Sequence, residues 1–230
     1  MNSFNFKEEY YKSLELLNPN GVDWDLVGVL ANTSEVYTLS YDSKILSGIF
    51  EILVEPIVQN IAERNNLILA KGVQNAYPEF TLYDENLPKS KIAVDVKSTY
   101  RKFKRDGSLT NFSFTLGSYK SYLRDGVKGI KFPYKEYAEH WIVGFLYTRN
   151  ENCKNVQIKK IIEAANLEAP YTDIEFFVQE KYKIAGLTPG SGNTTNIGSI
   201  KRNSIKDFEN GIFGFNSDED FVKYWSEYEK

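Results

Sequence analysis

Tyr77-Pro-Glu-Phe-Thr-Leu-Tyr83 and Lys91-Ile-Ala-Val-Asp-Val-Lys-Ser-Thr99, separated by a polar linker rich in turn formers (Asp84, Asn86, Pro88), decide the reading of this chain. Each half predicts a strand, and the linker joins the two as an antiparallel pair. In the second half Ile92, Val94 and Val96 alternate with Ala93, Asp95, Lys97 and Thr99. Side chains two apart on a strand share a face, so Asp95 and Lys97 point the same way. Glu79, at the start of the first strand, comes beside Asp95 when the strands pair. Two carboxylates and an ammonium in one small volume suit a hard divalent cation and an activated water. Any half-exposed strand alternates charged and apolar residues, however, so the pattern alone does not single out a site.

The 230 residues, 42% apolar and 15% aromatic, are enough for one well-buried core and fit a single domain. Sixteen Tyr and 15 Phe favour a substantial sheet. A single cysteine, Cys153, excludes an intramolecular disulfide framework and fits a reducing cytoplasm. The N-terminal residues lack the basic and apolar regions of a signal peptide, and no uncharged apolar run suggests a membrane span. The expectation is a soluble, cytoplasmic protein with no membrane partner. A net charge of −3 argues mildly against a nucleic-acid partner, but Arg101-Lys-Phe-Lys-Arg105 concentrates four cations directly after the second strand. Such a run is ordinarily a solvated face; its position favours one that meets phosphate.

Residues 4–17 have helical spacing, with Asn18-Pro-Asn-Gly21 as the stop. Val27 to Leu30 and Glu35 to Leu39 predict a short strand pair around Asn32-Thr-Ser34. The next helix, capped by Asp42 or Ser43, carries Leu46, Ile49, Phe50, Leu53, Ile57 and Ile61 on one side. Pro56 inside it predicts a kink or a break. Glu51, on the edge of this stripe, reads on its own as a surface glutamate. His140 is the only histidine, which disfavours a His-based zinc site or a Ser-His-Asp triad, and it is read as structural. Gly190-Ser-Gly-Asn-Thr-Thr-Asn196 is by composition a flexible loop, and without a following Gly-Lys-Ser/Thr it is not a P-loop.

Pro78-Glu79, fifteen intervening residues, then Asp95-Val96-Lys97 resembles the PD-(D/E)xK signature of restriction endonucleases and related nucleases. From about Val27 onward, further segments resemble the EcoRV-type restriction endonucleases in order and at similar spacing. They include Lys44-Ile-Leu-Ser-Gly-Ile-Phe-Glu51, Gln74-Asn75, Phe114-Thr-Leu-Gly117, Ala138 to Arg149, Ile184-Ala-Gly186, Gly190 to Ile200 and Tyr224 to Glu229. The first 25 residues match less clearly.

The resemblance implies an α/β (α+β) fold with a restriction-endonuclease-like core, a mixed central β-sheet flanked by helices. It implies a single domain over 1–230, with an N-terminal dimerisation part (about 1–40) and a DNA-recognition loop at 188–200. The implied activity is a type II site-specific deoxyribonuclease that cuts GATATC to blunt ends with Mg²⁺, Mn²⁺ being a substitute. Catalytic residues would be Glu79, Asp95, Lys97 and Glu51, with the three carboxylates as metal ligands. Gly190, Ser191, Gly192, Asn193, Thr194 and Thr195 would read bases. Glycines let the backbone approach base edges, Asn193 suits adenine, and the Thr194 methyl suits thymine. Gln74, Asn75, Ser98, Thr99, Ser121 and Lys44 would meet the DNA backbone or minor groove. The implied partners are double-stranded DNA, a second copy in a homodimer, and a companion methyltransferase protecting the same site.

The chain departs from the pattern in three places. Glu79 stands where the family usually has aspartate, Val73 stands where a second glutamine is expected, and a basic tail expected beyond Lys230 is missing, with some phosphate contacts. Glu79 motivates an alternative, a sequence-specific DNA-binding relative with impaired or lost cleavage. A repair or recombination nuclease without sequence specificity is a third reading, disfavoured by the recognition loop.

Overall fold

The structure is a computed structural model and describes residues 4–73, 76–190 and 195–229. In chain order it forms α1 (Phe6–Leu17), β1 (Gly28–Leu30), β2 (Glu35–Thr38), α2 (Ser43–Arg64), β3 (Ile68–Lys71), β4 (Phe80–Tyr83), β5 (Lys91–Tyr100) and β6 (Thr115–Ser118). There follow β7 (Tyr137–Arg149), β8 (Ile158–Lys160), β9 (Tyr171–Glu180), α3 (Lys181–Ile184), β10 (Ala185–Pro189), β11 (Asn196–Ser199), α4 (Ile205–Asn210) and α5 (Asp218–Glu227).

The main sheet has the order β3-β4-β5-β7-β9. Its strands are antiparallel except for β5 and β7, which pair in parallel, with Asp95 beside Ile142 and Lys97 beside Gly144. The sheet is therefore mixed and carries helices, as the sequence resemblance implied. The apolar run Trp141 to Tyr147 becomes the buried middle of β7. Two smaller sheets, β1-β2-β8 and β10-β11-β6, flank this core.

Helix α2 lies over one face of the main sheet. Asp42 caps it by accepting a hydrogen bond from the Lys44 N–H at 2.8 Å. Leu46, Phe50, Val54, Ile57, Val58 and Ile61 are buried with Val94, Val96, Val143 and Phe145. Phe50 stacks on Phe145 at 4.6 Å. The expected break at Pro56 is absent, and α2 runs as one helix of 22 residues. Pro56 and Ile52, whose carbonyl would lose its partner, both lie on the exposed side, where water replaces the missing bond. Among the described residues α2 is the one helix long and apolar enough to cross a membrane by composition; here its apolar side is spent on the protein core.

The opposite face of the sheet is also covered. Phe177 of β9 packs there with Phe114, Phe208 and Ile142 in a second cluster that includes Phe221 and Trp225 of α5. Gly144 is required by this packing, since a Cβ would come within 2.1 Å of the Phe177 ring. Gly144→Ala should destabilise the fold by about 1–3 kcal/mol through overpacking. Urea unfolding measures this, and an unchanged midpoint and slope would refute the rigid packing of Phe177.

Candidate active site

The register of β4 and β5 builds the site. Phe80 pairs with Val94 and Thr81 with Ala93, so Glu79, one residue before β4, comes level with Asp95. Lys97 Nζ lies 2.8 Å from Asp95 Oδ2 and 3.2 Å from Glu79 Oε1. Glu79 Oε2 accepts the Val96 N–H at 3.1 Å, and Lys97 Nζ also donates to the Val96 carbonyl at 3.1 Å. The three expected groups are thus in contact. They line a cleft of about 960 Å³ with Glu51 and Lys44 of α2 and with Tyr122.

The charges in the cleft are interdependent. Burial would raise the Asp95 pKa, but the Lys97 ammonium, helped by Glu79 and by Lys181, holds it below the usual range. Burial and the Asp95 charge push Glu79 well above its usual value. Asp95 is therefore the charged member of the pair, and Glu79 gives up its proton reluctantly. Burial would lower Lys97, yet Asp95 and then Glu79 outweigh it and raise the ammonium pKa. Lys97 is thereby held as a charged hydrogen-bond donor between the two carboxylates. Glu51 is raised by burial, lowered by Lys97 and raised by Asp95, which places it within the same field.

Among the described residues no three Asp, Glu, His or Cys side chains converge into a complete metal-binding group. Glu51 lines the cleft without closing a set with Glu79 and Asp95. Asp95 Oδ2 is buried with the Lys97 ammonium at 2.8 Å, so a cation bound there would share that oxygen with Lys97. Two carboxylates so placed fit a small hard ion that keeps several waters better than a closed protein cage.

The other expected residues are spread around this centre. Ser98 and Thr99 are half-buried in the later part of β5, Thr99 on the Asp95 side. Lys44 is exposed in the first turn of α2, and Ser121 is half-buried in a π-helical turn, Lys120–Arg124. Gly190 and Thr195 stand at the ends of the β10–β11 connection. The Gly190 N–H donates to the Asn196 carbonyl at 2.8 Å and the Tyr119 N–H to the Thr195 carbonyl at 3.0 Å. Ser191, Gly192, Asn193 and Thr194, like Gln74 and Asn75, lie outside the described residues. The basic run is divided: Arg101 turns onto the sheet to pair with Glu175 and to donate to the Asp173 carbonyl. Lys102 to Arg105 remain exposed. Arg101 thus packs toward β9, across the sheet from β5, while the other three cations of the run point to solvent.

An aromatic layer that sequence reasoning missed lies behind the cleft. Tyr77 donates to or accepts from His140 Nδ1 at 2.7 Å, and His140 stacks on Tyr134 at 4.3 Å. His140 is buried, and burial followed by Lys181 lowers its pKa well below the usual range. It is a neutral structural ring, as expected. Lys181 is wholly buried nearby, and burial brings its pKa down to about 8 despite the attraction of Asp95.

A family model described as restriction endonuclease EcoRV matches residues 20–230. The type II restriction enzyme EcoRV of Escherichia coli is 40% identical over 209 residues, which cover 90% of this chain and 83% of the relative. Nucleases of that family are generally dependent on a divalent metal, in keeping with the donor set of the cleft. With the paired carboxylates, the lysine and the mixed sheet beneath them, these similarities make the chain a member of the EcoRV family of type II restriction endonucleases, enzymes that cleave DNA.

Proposed function

We propose that the chain cuts double-stranded DNA at GATATC to blunt ends in the presence of Mg²⁺, with Mn²⁺ as a substitute. The observation that carries the metal-dependent hydrolysis is the three-way contact of Lys97 with Asp95 and Glu79. Asp95 and Glu79 would hold the cation, with Glu51 as an auxiliary carboxylate. When bound, the ion supplies a Lewis acid and lowers the pKa of water. Lys97 orients the attacking water and offsets charge that develops on the phosphate. Ser98, Thr99, Ser121 and Lys44 position the DNA backbone. Retention of Gly190-Ser-Gly-Asn-Thr-Thr195 supports the GATATC specificity, with Gln74 and Asn75 serving the minor groove. The central TA step is easily deformed, which suits an enzyme that bends its substrate.

A palindromic site calls for two-fold symmetry and hence a homodimer. The proposed dimerisation part, about residues 1–40, gains support from the β1-β2-β8 sheet. Val29, Tyr37 and Ile158 lie in register across its three strands and are all exposed. An apolar face of this kind favours burial against a second copy. The whole chain, 1–230, would form one restriction-endonuclease domain acting in the cytoplasm, with a companion methyltransferase protecting host sites.

The alternative, a DNA-binding relative that no longer cuts, rests on Glu79. Its longer arm is held by the Val96 N–H and Lys97, and its extra methylene shifts the carboxylate by roughly 1.5 Å relative to aspartate. Digestion of a plasmid carrying one GATATC separates the readings. The parent protein should give one blunt cut in Mg²⁺, and Glu79→Asp should retain it within about tenfold, since placement and not ligand type changes. Cutting only by Glu79→Asp would establish the binding-only reading for the parent. A smear from any duplex would refute site specificity.

A further inference from the structure

Lys181, the first residue of α3, is wholly buried, and its Nζ has no hydrogen-bond partner among the described residues. It stands 4.1 Å from the centroid of the Tyr77 ring and 5.7 Å from that of Tyr122. Those two rings stack at 4.7 Å and 23°. Tyr77 precedes Glu79 by two residues, and Tyr122 lines the cleft beside Asp95 and Lys97. A buried ammonium without a hydrogen-bond partner, held by ring faces and by the fields of Asp95, Asp218 and Glu79, is costly to keep. An apolar side chain of similar length would fill the same space at no such cost. The field of Lys181 reaches both Asp95 and Glu79.

We propose that Lys181 is a positioning residue of the cleavage site, a buried ammonium behind Asp95 and Glu79 that clamps the Tyr77–Tyr122 stack and weakens the carboxylates' hold on a divalent cation near pH 7. The proposal rests on the metal-dependent reading above and adds to it a charge outside the family motif. Lys97 supplies positive charge at the mouth of the cleft, where DNA would lie. Lys181 supplies it from the protein interior, where no solvent screens it and no substrate displaces it.

Mn²⁺ binding to the purified protein, followed by electron paramagnetic resonance of the free ion, tests this without reference to cleavage. Lys181→Met keeps the stem and removes the charge. It should bind Mn²⁺ tighter by on the order of 100-fold, as expected for loss of one charge roughly 10 Å from a divalent ion at an effective dielectric constant near 20. Lys181→Gln should do the same if the methionine variant does not fold, and Lys181→Arg should return the affinity to that of the parent. A residue that only fills space would move the melting temperature and leave Mn²⁺ affinity unchanged, and that result overturns the proposal. Asp95→Asn is the control: if Mn²⁺ binding does not fall there, the metal reading of the cleft fails first. Binding lost in Asp95→Asn but unchanged in Lys181→Met defeats the role of Lys181 alone.

Discussion

Asp95→Asn should abolish cleavage while leaving a folded protein that still binds its DNA. In a single-turnover assay with saturating protein and Mg²⁺, the rate should fall on the order of 10³-fold, or about 4 kcal/mol of transition-state stabilisation. Asp95 is the charged member of the buried pair, held so by the Lys97 ammonium. Asparagine has the same shape but brings a neutral amide to the place where a cation needs a full charge. Loss of the Asp95 charge also removes one of the causes that raise Glu79, so Glu79 ionises more readily and keeps Lys97 paired. The core beneath is untouched, and the circular dichroism spectrum should match that of the parent. A variant that cuts within tenfold of the parent rate would remove Asp95 from the centre of the mechanism.

The parts of this site legible in the sequence were those that follow from a period of two or of 3.6. Alternation along residues 92–97 put Asp95 and Lys97 on one face, and the turn formers between the strands put Glu79 beside them. The Leu46 to Ile61 stripe located the helix that covers the other face. Periodicity says nothing of what lies across from a strand, however. The alternation suggested that the Asp95 face of β5 meets solvent, yet Ala93 and Asp95 are buried there, with Ala93 packed among Tyr77 and Tyr137. That aromatic cover comes from segments whose approach depends on β5 pairing in parallel with β7, a long-range choice. The same choice diverts Arg101 from the cleft to Glu175.

Lys181 was invisible for a related reason. Gln179-Glu-Lys-Tyr-Lys183 has the composition of a surface turn, and a lysine in it reads as solvated. Only the tertiary position, behind Tyr77, turns it into a buried charge. The half of the site that could be read was therefore the pair of strands that carries Glu79, Asp95 and Lys97; the half packed behind it came from contacts distant in sequence.

Lys97→Met tests the electrostatic account from the other side, since it removes a cation that contacts both carboxylates. Cleavage should fall by about 10²–10³-fold, the usual cost of losing a charge aimed at a developing anion. Stability should fall as well, and in a pH-dependent way. In the parent the Lys97 pKa is raised above its unfolded value, so its contribution is complete at every pH below about 10 and flat across the neutral range. In the variant Asp95 and Glu79 lie in a buried pocket without their ion-pair partner, and burial raises both above the unfolded value of about 4. Raised carboxyls stabilise the fold only while protonated, so stability is lost as pH rises through their folded values. The penalty at pH 8 should reach about 2–4 kcal/mol, a little below that for a fully buried pair because Lys97 and Glu79 remain a fifth exposed. At pH 5 most of it should vanish. Melting curves of parent and variant at the two pH values measure this, and an equal gap at both would show that Lys97 does not hold the carboxylate charge in the folded protein.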